Sequence, residues 1–216
     1  MKPATEVEFD QRVRGESLSS RVLGVLKDAI FTGKLQPGEA VRELRVARSL
    51  GVSQATVREA LVQLEQIGLV EREQNRRTTV TSFPREQIQE RLAARVVLEE
   101  LAALQASSRL TDADLNALRE SAAAAGRAQD MHERAQAEMQ FYHLIWERSG
   151  SPILCRMLDQ LTTPLFAFLS LAPAESALNG AGSPAALVDA LASRDPERIR
   201  AEVRAAAEVS SRSLLS

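Results

Sequence analysis

The sequence predicts a mostly α-helical protein in two parts: a small helical unit closed by one β-hairpin, then an antiparallel all-α helical bundle. Three observations carry that reading. Apolar residues recur at three- and four-residue steps through most of the chain, which places them on one face of a helix. Alternation with a period of two appears only near residues 69–82. The composition is alanine-rich and only 4% aromatic, with 10 glycines in 216 residues, so the chain favours helix and its core is built from Leu, Val and Ala.

Residues 1–16 are polar and aperiodic and read as a flexible tail. In 17–32, Leu18, Val22, Val25, Leu26, Ala29 and Ile30 share a helical face that Gly33 ends. Leu35-Gln36-Pro37-Gly38-Glu39 is a turn, and Ala40-Val41 a short extended piece. Val46, Ala47 and Leu50 fall on one face of a helix over 43–50, with Leu44 at its edge. Gly51 breaks that helix, Val52 pins the turn, and the Ser53 hydroxyl suits the cap of the next helix. There Val57, Ala60, Leu61, Leu64 and Ile67 make the buried stripe. Residues 69–73 and 78–82 alternate as paired strands joined by Gln74-Asn75-Arg76-Arg77. Two helices about a tight turn, followed by a charged hairpin, make a winged helix-turn-helix over 17–82.

Phe83-Pro84 marks the boundary, because proline disfavours helix in the residue before it and suits the first position of the next. A long helix is expected from 84 to 108. Thr111-Asp112-Ala113-Asp114 reads as a cap for a helix reaching 127. Further helices are expected over 130–148, from Ser151-Pro152 to 171 with a kink at Pro164, over 184–193 and over 196–214. Residues 173–182 are rich in Gly, Ala, Ser and Pro and form a loop. The second domain, 83–216, is therefore a bundle of about six helices.

Composition narrows the function. The single cysteine, Cys155, excludes an intramolecular disulfide and a cysteine-based zinc cluster; its apolar surroundings predict a buried structural thiol. No stretch approaches the ~20 apolar residues of a membrane span, so a cytoplasmic location is expected. An enzyme has little support: there is no Ser/His/Asp set, no HExxH and no phosphate loop, and Gly180-Ala181-Gly182 has no strand before it. Glu99 and Glu100 face different ways on a helix, which suits solvated or salt-bridged roles. The net charge of −2 conceals an asymmetry, with +4 over residues 12–82 and −4 over 83–216. A basic N-terminal part and an acidic C-terminal part suit a nucleic-acid reader joined to a domain that does not read.

A helix-turn-helix presents the N-terminal end of its second helix to the major groove of DNA. The expected contacts there are Ser53, Gln54, Ala55, Thr56 and Arg58. Asn75, Arg76 and Arg77 are the expected wing contacts, and Arg45 on the preceding helix the best candidate for a backbone contact.

With both halves considered, the chain resembles the GntR family of transcription factors, in its FadR-like branch with a helical, FCD-type effector domain. The N-terminal resemblance rests on Leu35-x-Pro37-Gly38-Glu39, Gly51-Val52-Ser53, Val57-Arg58-Glu59-Ala60-Leu61-x-x-Leu64 and Gly68-Leu69-Val70. The C-terminal resemblance rests on Arg95-x-x-Leu98-Glu99, Ser149-Gly150, Asp189-Ala190-Leu191 and Asp195. It implies a homodimer on a short palindromic operator, a small-molecule effector that alters DNA affinity, and repression as the default. A DNA-binding regulator whose bundle is collapsed and serves only dimerisation is the alternative.

The chain departs from the family pattern in both halves. Where the family has Arg-Thr-Pro after Gly-Val-Ser, this chain has Gln54-Ala55-Thr56; arginine suits guanine and glutamine suits adenine, so an operator of different bases is expected. The wing has Asn75-Arg76-Arg77 where relatives have Asn-Arg-Gly, exchanging close backbone approach for charge. Most such bundles bind a divalent metal through an Asp, a His four residues on, and two later His. The matching positions here are Glu138, Tyr142, one at or beside Pro184 and one near Ala206, so no metal is expected. The two histidines, His132 and His143, are expected to lie at the surface or partly packed. Arg95 matches an arginine that in relatives reaches toward an acidic effector, and Glu138 offers it an internal partner instead. Tyr142 and Trp146, one turn apart, predict a pocket more apolar than usual. The resemblance with these departures implies an effector that is an organic acid or an apolar or aromatic compound, held by Arg95, Glu138, Tyr142 and Trp146 without metal.

Overall fold

The computed structural model describes residues 17–72, 77–171 and 182–215. The N-terminal unit holds α1 (Leu18–Phe31), α2 (Glu43–Leu50) and α3 (Gln54–Gln66), then β1 (Val70–Arg72) and β2 (Thr78–Val80). The bundle holds α4 (Arg85–Ser107), α5 (Asp112–Arg127), α6 (Met131–Arg148), α7 (Pro152–Leu169), α8 (Pro184–Ser193) and α9 (Pro196–Leu215). None of these helices is long and apolar enough to cross a membrane. The expected architecture is the observed one, although β1 starts one residue later and β2 ends two residues earlier than expected, and residue 73 lies outside the described residues.

In the reader, α1 and α2 pack against α3 and bury the stripe Val57, Ala60, Leu61 and Leu64. Leu18 and Val25, expected inward, are exposed, while Val22, Leu26 and Ile30 on the same helix are buried. Gly51 takes φ +66° at the end of α2, as a left-handed cap requires. Strands β1 and β2 pair antiparallel in the register Val70 to Val80, Glu71 to Thr79 and Arg72 to Thr78. Ala40 adds an isolated bridge to Thr79, which ties the turn before α2 to the wing.

In the bundle, α4 runs through the centre and packs on α6, α7 and α9. Helix α5 lies between α6 and α8. Its start is the expected capping box: Thr111 Oγ1 accepts from Asp114 N at 3.2 Å, and the Asp114 carboxylate accepts from Thr111 N at 3.0 Å. That backbone hydrogen bond, with help from the Thr111 hydroxyl and Arg148, holds the Asp114 carboxyl down to about 2. Cys155 is half-buried rather than buried, and its thiol donates to the Trp146 carbonyl at 3.1 Å.

The two halves meet on α7. Pro164 lies within that helix and has no N–H to offer the carbonyl of Gln160, four residues back. Gln160 O instead accepts from Arg91 Nη1 at 3.3 Å. Gly68, at φ +76°, sits so close that a Cβ would lie 2.9 Å from Gln160 O and 3.2 Å from Pro164 Cγ. Phe83 packs against Phe168 at a ring separation of 5.8 Å and carries the Arg91 guanidinium 3.8 Å above its ring. Ser170 Oγ donates to Phe31 O at 2.7 Å. The joint is thus a packed interface and not merely the Phe83-Pro84 link.

Gly51 and Gly68 separate backbone strain from interdomain contact. Around Gly51 the space is open, so Gly51→Ala costs only the left-handed penalty of roughly 1–2 kcal/mol. Gly68→Ala adds overpacking against α7, a further cost of about 1–3 kcal/mol. Urea unfolding of both variants checks the difference.

Candidate nucleic-acid interface and bundle site

Ser53 opens α3 in extended conformation and its hydroxyl accepts from Thr56 N at 3.1 Å, with Thr56 Oγ1 2.8 Å away. The Ser53 hydroxyl is thereby engaged in the cap. Gln54, Ala55 and Arg58 are exposed and Thr56 is half-buried, so the expected reading end of α3 faces outward. Arg45 is exposed on α2 and Arg77 at the base of the wing. Asn75 and Arg76 lie outside the described residues. A cleft of about 860 Å³ between α2, α3 and the wing is lined by Arg42, Gln54, Arg58, Arg72 and Arg77.

One carboxylate sits in this ring of arginines. Glu43 Oε2 accepts from Arg58 Nη2 at 2.8 Å and from Gln54 Nε2 at 3.3 Å, while Oε1 accepts from Arg58 Nε at 3.3 Å. Arg72 Nη2 lies 4.0 Å from Glu43 Oε1. The Arg58 hydrogen bonds hold the Glu43 carboxyl below the usual carboxylate range, so it is ionised at neutral pH. Neither Glu43 nor Arg72 was expected at the site. Their sequence neighbours carry no such signal, because the ion pairs span 15 and 29 residues of chain.

The bundle brings Arg95, Tyr142 and Trp146 together, with Glu138 close behind. Arg95 is completely buried. Its guanidinium carbon lies 5.1 Å from the Tyr142 ring centre and 5.3 Å from that of Phe166. Tyr142 stacks on Trp146 at 6.3 Å. The expected pairing of Arg95 with Glu138 is not formed. Arg95 Nε donates to Glu99 Oε1 at 2.9 Å and Nη1 to Ser210 Oγ at 3.3 Å. Glu138 accepts from Arg134 Nε at 3.0 Å. Each carboxylate takes the arginine one helical turn away on its own helix, a spacing already present in the sequence. Glu100 pairs with Arg204, on the outer side of the same helix.

Burial pushes both the Glu99 and Glu138 carboxyls up, with Arg95 and Arg134 respectively opposing it. Burial also raises the Tyr142 phenol, which stays protonated and neutral. Two buried polar atoms of this pair have no hydrogen-bond partner, Arg95 Nη2 and Glu99 Oε2, and Thr162 Oγ1 on α7 is also buried without one.

The residues at the family's metal positions do not fit a metal. Glu138 is ion-paired, Tyr142 is a neutral phenol, and Pro184 and Ala206 have no donor side-chain atoms. The histidines are engaged away from Tyr142. His143 Nε2 lies 2.8 Å from Asp159 Oδ1, and the His132 ring meets the edge of Phe31 at 6.2 Å.

Residues 18–80 match the family described as bacterial regulatory proteins, gntR family, and residues 90–208 match the FCD domain. The HTH-type transcriptional regulator McbR of Escherichia coli K12 is 32% identical over 153 residues, covering 69% of each chain. A probable D-xylose utilization operon transcriptional repressor of Paenarthrobacter nicotinovorans is 27% identical over 87% of this chain and 84% of its own length. The solved structure of E. coli McbR/YncC aligns over 93% of this chain and 97% of its own, with a TM-score of 0.72 and 28% identity.

The Arg95–Glu99 pair gives a stability prediction. Arg95→Met leaves Glu99 as an uncompensated buried charge and is expected to cost about 3–5 kcal/mol. The double variant Arg95→Met/Glu99→Leu has no such charge and is expected to lose less. In the single variant Glu99 has a folded-state pKa above its unfolded value, so the deficit grows as pH rises past about 4.3 and shrinks in acid. Thermal unfolding of the two variants between pH 4 and 7 checks both the order and the sign.

Proposed function

The chain belongs to the gntR family of bacterial regulatory proteins, with an FCD domain behind its helix-turn-helix reader, and on that premise we propose an effector-controlled repressor acting as a homodimer on a palindromic operator. The family's members are transcriptional regulators, and the proposal concerns what this one reads and senses. The supporting observation is the outward end of α3, where Gln54 and Arg58 stand beside Arg72 and Arg77 of the wing. Gln54 offers the donor and acceptor that suit adenine, Arg58 a fork that suits guanine or phosphate, and Arg45 a phosphate contact.

The effector we propose is an aromatic or apolar compound with a polar edge, bound without metal between α4, α6, α7 and α9. Glu99 already neutralises Arg95, which disfavours a fully charged acid at that point. The unpartnered Arg95 Nη2 and Glu99 Oε2 would take an acceptor and a donor, and Tyr142, Trp146 and Phe166 supply the apolar wall. A closed bundle serving only dimerisation is the second reading, favoured by the close burial of Arg95, Glu138, Tyr142 and Trp146.

Helix α7 offers the route between the sites. Phe166 belongs to the cluster, while Gln160 and Pro164 on the same helix seat Gly68, just past α3. A ligand shifts the reader only by binding one arrangement of α7 more tightly than another.

Selection from a random duplex pool is expected to enrich an inverted repeat, and Arg58→Ala to weaken binding to it by roughly 5-fold or more, read by gel shift. Failure to enrich any sequence overturns base reading. A thermal-shift panel of aromatics, acyl thioesters and organic acids is expected to yield a stabilising compound whose effect Arg95→Met/Glu99→Leu abolishes. No shift by any compound selects the closed bundle. Stoichiometric zinc or nickel in untagged protein refutes the metal-free reading.

A further inference from the structure

We propose that Glu43 is a positioning residue for base reading, which fixes Gln54 and Arg58 in their reading rotamers before DNA arrives. The proposal rests on the reading of α3 as the base-contacting helix. Glu43 stands at the first position of α2, on a different helix from the two side chains it holds. Its two oxygens take the Nε and Nη2 edge of Arg58, at 3.3 and 2.8 Å. That leaves Nη1 and the second Nη2 hydrogen as a free pair of parallel donors, the geometry that guanine O6 and N7 or a phosphate accepts. The same carboxylate accepts from Gln54 Nε2 at 3.3 Å. One amide hydrogen and the amide oxygen of Gln54 then remain, which is the donor and acceptor that adenine N7 and N6 require. Arg72 of β1 stands 4.0 Å from the same carboxylate and places it against the wing.

A carboxylate on a DNA-facing surface repels phosphate, so on charge alone its removal strengthens binding to any duplex. Its retention beside the reading end is explained if it discriminates between sequences rather than adding affinity. Long, exposed side chains lose rotamer freedom when they bind, and an ion pair that holds them beforehand lowers that cost for the correct bases.

The test compares the full chain with Glu43→Gln, Glu43→Ala and Glu43→Asp. Each is titrated against the duplex that the unaltered protein selects from a random pool and against a scrambled duplex of equal length. Positioning predicts that Gln and Ala lose about tenfold or more in the ratio of selected to scrambled affinity, while scrambled binding stays level or tightens. Asp keeps the charge but is one methylene too short for Arg58, so it is expected to behave as Gln does. If Asp retains the full ratio, charge alone accounts for Glu43 and the proposal fails. If all three variants keep the ratio within about twofold, or lose both affinities together with melting temperature, it fails as well. If the unaltered protein enriches no sequence, the base-reading premise fails instead, a result distinct from the others.

Discussion

A proline within α7 cannot donate to the carbonyl four residues behind it, and the junction of the two domains is built on that freed group. Gln160 O is satisfied from outside its helix by Arg91 of α4, and the close approach of Gly68 is possible only without a side chain. The same helix places the Phe166 ring 5.3 Å from the Arg95 guanidinium carbon. A single backbone irregularity therefore lies where the reader comes closest to the bundle, on the helix that also carries Phe166 beside Arg95.

The bundle core is held around a charge. A buried arginine tolerates its position only when its donors are paired, and Arg95 achieves this through Glu99 and Ser210 while one nitrogen stays unsatisfied. Pro184 and Ala206 are buried, and the cation near the centre is the Arg95 side chain. Tyr142, Trp146 and Phe166 form an aromatic wall beside it.

The reading head shows a comparable economy of charge. Arg42, Arg58, Arg72 and Arg77 surround one carboxylate, and that carboxylate engages Gln54 and Arg58 at the outward end of α3. Gln54 stands at the first position of α3, and the cap of that helix is made by Ser53 beside it.

Periodicity, caps and helix breakers were enough to place every helix, because those signals act within a few residues of chain. The Ser53 and Thr111 caps, the ends at Gly33 and Gly51, and the break at Phe83-Pro84 are local physical chemistry. The same locality made Gln54, Arg58 and Arg77 recognisable as outward cations and amides, and Tyr142 and Trp146 as neighbours one turn apart. Only folding decided which charges pair. Glu43 reaches Arg58 across a turn, Arg95 chooses Glu99 over Glu138, and Gly68 finds a carbonyl freed by a proline nearly a hundred residues later. Those choices depend on distance and burial in three dimensions, where Coulomb energy and desolvation change over a few ångströms, and no pattern along the chain encodes such distances.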